Sequence, residues 1–327
     1  MTLRDRLAAN GGVASIAGFF LVVCVYFAVG TDGFLSENNL LNILRQSAPL
    51  LIVAAAMTFV ITTAGIDLSV GSIVALIGSM TALLMQSGEE AWFEQGLDWP
   101  VVFVGMLALG GLLGALQGFF IAYEGIPAFI VTLAGLSVFR GVALLMTGGY
   151  SVPVDSESGF VFLGRGWFQG VPMPALIAIA VLAVAALVFN QTRFGRYVTG
   201  IGANAEAVRR AGVDIRRVTL ACYVLAGIAA ALAGLLLTAR LGSGSSNAGL
   251  GFELEVIAAV VLGSTSLFGG RGTIVGTILG ALTVAVIGNG LILSHLSPFL
   301  TPIVTGAIIL IAIWLNFRLF SGRGRRR

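Results

Sequence analysis

The chain has 327 residues, 57% of them hydrophobic and 10% charged, with a formal net charge of +3 and a mean hydropathy of +1.01. Soluble domains carry about 25% charged residues, so this composition excludes a water-facing enzyme, a disordered chain and a disulfide scaffold. The basic residues, all Arg, are dispersed or sit at the ends of hydrophobic segments, which argues against nucleic-acid binding. An all-α polytopic membrane protein is what remains.

A helix rises about 1.5 Å per residue, so about 20 apolar residues cross the hydrocarbon core. Arg4 and Arg6 precede an uncharged stretch at 11–30 without an A-x-A cleavage pattern, which predicts a retained anchor rather than a signal peptide. Ten spans are predicted, at about 12–30, 47–64, 69–87, 99–122, 127–147, 172–190, 217–238, 254–268, 272–293 and 299–317, within a single transmembrane domain. Cys24 and Cys222 each lie in an apolar run and read as small core residues.

Arginine placement sets the orientation. With both termini cytoplasmic, 14 Arg fall inside, only Arg45, Arg165 and Arg240 fall outside, and Arg140 lies within a span. Ten of the acids lie outside, among them the cluster Glu89, Glu90, Glu94 and Asp98. An odd number of spans puts the Arg-rich 191–217 loop and the Arg-rich tail on opposite sides.

Residues 71–77 and 272–278 echo each other at an offset of 201, each after a short polar, Gly-containing turn. This predicts two related halves, as in transporters whose broken helices meet at the substrate path. Small residues at four-residue spacing (Gly110, Gly114, Gly118 and Gly272, Gly276, Gly280) let helix backbones approach closely. Packing within one subunit and dimerisation both use such faces.

Polar groups inside spans are costly and therefore informative. Thr62, Thr63, Gln117, Thr132, Ser137, Arg140 and Asn289 are mostly neutral hydrogen-bonding groups, which suits an uncharged polar solute. Thr63, Asp67, Gln117, Thr132, Arg140 and Asn289 are therefore the candidate translocation path. Asp67 either caps the helix beginning near Ser69 or serves transport, from a turn placed at the membrane surface. Arg140 either snorkels or pairs with Asp67, Glu253 or Glu255. The lone His295 has no partner for a metal site, and no catalytic constellation is present. A P-loop needs Lys, so ATP hydrolysis, if any, belongs to another subunit.

The 191–217 loop carries the clearest hydrophilic signal. Asn204 is an N-cap residue, Glu206 favours the positive end of a short helix, and Gly212 stops it. Arg209 and Arg210 sit at its negative end. A short capped helix at 203–213, including Ala207, reads as a contact for a cytoplasmic partner or as an ordinary amphipathic loop helix.

Glu206-Ala207-Val208 followed by Gly212 resembles the E-A-A-x-x-x-G coupling loop of ABC importer permeases. Ala64-Gly65-Ile66-Asp67-Leu68-Ser69-Val70-Gly71-Ser72 resembles the GGIDLSVGS signature of the ribose/xylose/galactose-type sugar permeases. Segments at 34–46, 126–135, 140–141 and 258–272 are similar to others of that family, in the expected order. The chain departs from the pattern at Ala64 (usually Gly), Gln117 (usually Asn), Glu255 (often Asp) and in the 243–247 segment. The resemblance implies a multi-pass permease of the bacterial cytoplasmic membrane that dimerises and imports a monosaccharide or polyol. It further implies a cytoplasmic ATP-binding subunit, which holds the ATP and Mg, and an extracytoplasmic sugar-binding protein facing Arg45, Arg165 and Arg240. Besides the lipid around it, no cofactor belongs to the chain itself. A branched-chain amino acid permease of the same superfamily shares the span pattern and loop, but the signature around Asp67 argues against it. An ion-coupled secondary transporter needs a titratable carboxylate near the membrane midplane, and the predicted topology supplies none.

Overall fold

The computed structural model describes residues 3–88, 92–295 and parts of 297–311. The expected tenth span at 299–317 is thus described only in part, and Glu89, Glu90, Arg318 and the tail at 323–327 lie outside the described residues. The helices are α1 (Leu3–Gly30), α2 (Glu37–Thr62), α3 (Val70–Met85), α4 (Trp99–Ala122), α5 (Ala128–Thr147), α6 (Phe162–Arg165), α7 (Met173–Gln191), α8 (Arg193–Arg210), α9 (Ile215–Leu241), α10 (Phe252–Leu262) and α11 (Ile274–Leu293). Two antiparallel two-stranded pairs interrupt this mostly helical chain. β1 (Ser151–Pro153) pairs with β4 (Ser243–Ser245), and β2 (Trp167–Phe168) pairs with β3 (Val171–Pro172). The strictly all-α expectation is corrected to that extent.

Among the described residues, seven helices are long and apolar enough to cross a membrane: α2, α4, α5, α7, α9, α11 and the 12–30 part of α1. The expected spans at 69–87 and 254–268 are corrected to shorter helices, α3 of 16 residues and α10 of 11. At about 1.5 Å per residue neither crosses a 30 Å core. α2 starts ten residues before its expected span because Ser36 Oγ accepts from Asn39 N at 3.3 Å, with Glu37 in the first turn at the positive helix end.

α2 is the central helix, buried from Ser47 to Thr62 and packed by α7, α9, α10 and α11. α1, α4, α5 and α7 expose most of their apolar length; Val29 and Leu145 project outward. An apolar outer surface over a packed interior suits lipid rather than water.

The glycine stripes pack within the subunit. A Cβ on Gly110 would strike Ala231 and the Gly227 carbonyl, one on Gly114 the Tyr223 carbonyl, so α4 lies backbone to backbone on α9. Gly276 and Gly280 meet Gly263 and Ala259 in the same way, joining α11 to α10.

The same turn ends α2 and α10. Gly65 N donates to Val60 O at 3.1 Å and Ala64 N to Ile61 O at 2.9 Å; Thr265 N donates to Val260 O at 3.3 Å and Ser264 N to Val261 O at 3.0 Å. These are Schellman-type closures. Ala64 (φ 64°) and Ser264 (φ 67°) hold the left-handed position usually given to Gly, at about 1–2 kcal/mol for a residue with a Cβ. The turns correspond at an offset of 200, one less than the sequence echo.

Both short helices begin at mid-bundle. Ile66 lies opposite Tyr223, and Val74 opposite Gly234, so α3 starts near the midpoint of the 27-residue α9. A Cβ on Gly71 would strike Glu253 Oε2 and the Gly249 carbonyl, which brings the first turn of α10 to that same level. The N-termini of two half-length helices therefore converge inside the bundle.

Candidate functional site

Asp67, in the break between α2 and α3, is fully enclosed. Its Oδ1 accepts from Ser69 N at 2.8 Å and from Ser69 Oγ at 2.7 Å, which fixes the turn just before α3, while no side chain caps that helix. Gln117 Nε2, from α4, donates to Ser69 Oγ at 2.8 Å. The neighbouring Ile66 carbonyl receives Tyr223 OH from α9 at 3.2 Å and Thr132 Oγ1 from α5 at 3.5 Å. Asp67 Oδ2 and Gln117 Oε1 are buried without a hydrogen-bond partner. Placing the Asp67 turn at a membrane surface is corrected: three helices close over it, because α3 starts mid-bundle.

The structure thus unites Asp67, Gln117 and Thr132 and adds Ser69 and Tyr223. Tyr223 was missed because it stands singly in a long apolar run, where a phenol reads as core. Thr63 is not part of this group; its hydroxyl donates to Val60 O at 2.7 Å within the end of α2.

Arg140 pairs with none of the three expected carboxylates. Its Nη1 donates to Ser246 O and Ala248 O, each at 2.6 Å, and its Nη2 to Gly249 O at 3.3 Å. The guanidinium fork suits this convergence of carbonyls. It pins the turn between β4 and α10 against α5, and Thr147 Oγ1 adds a 3.1 Å bond to Ser246 Oγ.

Asn289 lies elsewhere, in a two-way amide pair with Asn39: Nδ2 of each donates to Oδ1 of the other, at 3.1 and 2.9 Å. Beside it a cavity of about 300 Å³ opens between α2, α9, α10 and α11. Its polar lining is Gln46, Ser47, Arg240, Glu255 and Asn289, set among apolar side chains. The six expected path residues therefore occupy separate places: the Asp67 turn, the end of α2, the Arg140 clamp and the cavity wall.

The three arginines expected to face a binding protein do gather at one end. Arg165 is exposed and its Nε donates to Arg240 O at 2.8 Å. Arg45 is half-buried, with Nη2 on Asn42 Oδ1 at 3.0 Å. Reading Arg240 as an exposed docking group is corrected, since it is half-buried and lines the cavity.

The loop helix folds as its sequence dictates, but as a continuation of α8. The backbone at Asn204 turns extended (φ −163°, ψ 92°), splitting α8. Asn204 Oδ1 accepts from Ala207 N at 3.0 Å, capping the second segment. Gly212 (φ 83°) ends it, with Val213 N donating to Val208 O at 3.4 Å. Glu206 meets Arg209 at 2.7 Å and Arg210 at 3.0 Å, all exposed. Their hydrogen bonds hold its carboxyl below the usual carboxylate range. Just upstream, Gly202 has no room for a Cβ between Thr62 O and Gly270 N, and Ala203 abuts Gly270. The residues that lead into the loop helix therefore touch both helix breaks.

Apolar helices facing outward, enclosed polar turns at half-length helices and a polar cavity define a multi-pass membrane transport protein. Residues 39–313 match the family described as "Branched-chain amino acid transport system / permease component". The chain is 41% identical to the ribose import permease protein RbsC of Bacillus subtilis, over 96% of each chain. It is also 41% identical to a probable ABC transporter permease protein, YphD, of Escherichia coli, over 92% of this chain and 89% of that one. The xylose transport system permease protein XylH of Escherichia coli is 34% identical over 90% of this chain and 89% of its own. The chain belongs to this family of ABC transporter permeases, of the type that the ribose and xylose permeases represent. No solved structure gives a significant match.

Proposed function

We propose that this chain is the membrane-spanning subunit of an ATP-driven, binding-protein-dependent importer of a monosaccharide or related polyol. The observation that carries the reading is the wedging of Gly202 and Ala203 against both helix breaks, in a chain aligned nearly end to end with ribose and xylose permeases. A cytoplasmic ATPase, holding the ATP and Mg, grips the loop helix around Glu206, Ala207, Arg209 and Arg210. Its closure moves the loop, and the loop moves the ends of α2 and α10. The cavity lined by Gln46, Glu255 and Asn289 offers hydroxyl partners to a neutral solute and lies on the path.

In this reading the bundle is built from two related halves, has both termini cytoplasmic, and works as a homodimer in the bacterial inner membrane. Arg45 and Arg165 face the extracytoplasmic binding protein, whose acids they attract. The matching turns of α2 and α10 support the two halves. A second reading, import of a branched-chain amino acid, is favoured by the description of the family profile; the ribose and xylose relatives favour the sugar.

The test is uptake of radiolabelled ribose, xylose and galactose into cells carrying the intact importer. Glu206→Ala and Gly212→Val are expected to abolish uptake while the chain still reaches the membrane in normal amount. Unchanged uptake in both variants overturns the coupling assignment; uptake of leucine but of no sugar overturns the substrate class.

A further inference from the structure

α11 carries four glycines, and packing explains three of them. Cβ atoms on Gly276 and Gly280 would strike the backbone at Gly263 and Ala259, and one on Gly290 would strike the Phe27 ring of α1. Gly288 differs. Among the described residues, a Cβ built there meets no atom within 4 Å, yet the residue lies inside the helix and lines the cavity. Glycine in a helix interior is less stable than alanine, because it gives up more backbone freedom on folding. Close contact offsets that loss at 276, 280 and 290, and no described neighbour does so at 288.

What lies over Gly288 is the cavity. Val284, Ala285, Asn289 and Ile292 line it as well. With 3.6 residues per turn these positions share one face of α11, and 288 falls among them. A side chain at 288 would therefore enter the cavity. At about 300 Å³ the cavity is at the small end of ligand sites, so one or two carbons decide what fits. The group by which an aldohexose exceeds the pentose of the same ring configuration is a single hydroxymethyl. A pentose leaves the space over Gly288 unfilled and forgoes its contacts, whereas a hexose fills it.

We propose that Gly288 sets the size of the solute: the space left by its missing side chain receives the hydroxymethyl group of a hexose. This inference rests on the reading that a monosaccharide passes through this cavity. It deepens that reading by committing to hexoses and by naming the residue that admits them.

The experiment uses the full-length chain purified into nanodiscs, titrated with three matched pairs: D-glucose and D-xylose, D-galactose and L-arabinose, D-allose and D-ribose. In the unsubstituted chain at least one hexose is expected to bind more tightly than its pentose. Gly288→Ala is expected to weaken that hexose at least tenfold, the lower end of what one carbon decides in a fitted pocket, with the pentose changed less than threefold. Gly288→Leu is expected to abolish hexose binding. The thermal midpoint of Gly288→Ala is expected to equal or exceed that of the parent, since alanine suits a helix and meets no described atom there. A lowered midpoint shows that the space is already filled and overturns the inference. Hexose affinity unchanged in Gly288→Ala and Gly288→Leu overturns it too, as does equal weakening of both members of a pair in Gly288→Ala. A parent chain that binds pentoses more tightly in all three pairs overturns the inference and leaves the sugar reading standing. Binding of none of the six sugars overturns both readings together.

Discussion

The backbone N–H of Gly270 donates to the carbonyl oxygen of Thr62 at 2.9 Å, joining the last residue of α2 to the turn that leads into α11. Residues more than 200 positions apart thus meet at one point, and Gly202 fills the remaining space there. The segment that carries Gly202 and Ala203 is thus in contact with both breaks at once, and interiors this close-packed transmit displacement rather than absorb it.

Gly202→Val tests that link. The added Cβ would overlap Thr62 O and Gly270 N, and backbone atoms cannot yield as a flexible side chain does. The expected outcome is normal insertion with ATP-driven uptake reduced at least tenfold, whereas Gly141→Val, where a Cβ meets nothing, leaves uptake unchanged. Normal uptake with Gly202→Val removes the mechanical link.

Asp67 is expected to matter through Oδ1. Asp67→Ala leaves Ser69 N and Oγ without their acceptor in an enclosed site, a loss of about 1–3 kcal/mol. Asp67→Asn keeps an oxygen for Ser69 and supplies an N–H where Oδ2 has no partner, so it stays within about 1 kcal/mol of the parent. Thermal unfolding in detergent checks both. A midpoint for Asp67→Ala equal to that of the parent contradicts a structural role for the bonds to Ser69.

The same turns explain what the sequence could and could not convey. Charge-free runs located α4 at 99–122 to the residue, and α5, α7, α9 and α11 within three residues at either end, because in those helices the apolar run and the hydrogen-bonded helix end together. The bounds of α3 were also legible within two residues, whereas α10 was misjudged because apolarity continues past its end while the helix does not. Leu262 ends α10, yet Leu267 and Phe268 extend the hydrophobic run. The stop of α10 is a left-handed residue at Ser264, whose counterpart Ala64 ends α2; neither is a Gly that would have signalled it. Asn204 to Gly212 was legible in full, since capping is a local exchange between side chain and backbone. Arg140 was legible as a buried cation but not in its partners, since backbone carbonyls leave no mark in composition.

Glu206 gives a pH dependence with a definite sign. Arg209 and Arg210 lower its carboxyl pKa in the folded chain, relative to about 4.3 when unpaired. Its pairing therefore contributes fully above the unpaired value and is lost as pH falls through the lowered one. Amide protection across 207–210, corrected for intrinsic exchange, is expected to be constant from about pH 6 to 8 and to fall below about pH 4. In Glu206→Gln it is expected to be weaker at neutral pH and flat. Protection in the parent that rises as pH falls contradicts the assignment.

Arg140 holds the entry to α10, and the strength of that hold is measurable. Three carbonyls, of Ser246, Ala248 and Gly249, converge on one guanidinium, and bonds to a charged group contribute about 1.5–3 kcal/mol each. Gly249 and Leu250 also wall the cavity, so the clamp fixes its shape. Ser246 is fully buried, which makes Ser246→Cys, in a chain whose Cys24 and Cys222 are replaced by Ala, a reporter of release. With Arg140 present, a water-soluble maleimide is expected to label it slowly. Arg140→Gln cannot serve three acceptors and is expected to raise the labelling rate at least tenfold. Arg140→Lys keeps the charge but presents a point rather than a fork, so its rate falls between the two. Equal rates in all three chains mean that β4 and the glycine contacts at Gly71 and Gly78 hold the turn without Arg140.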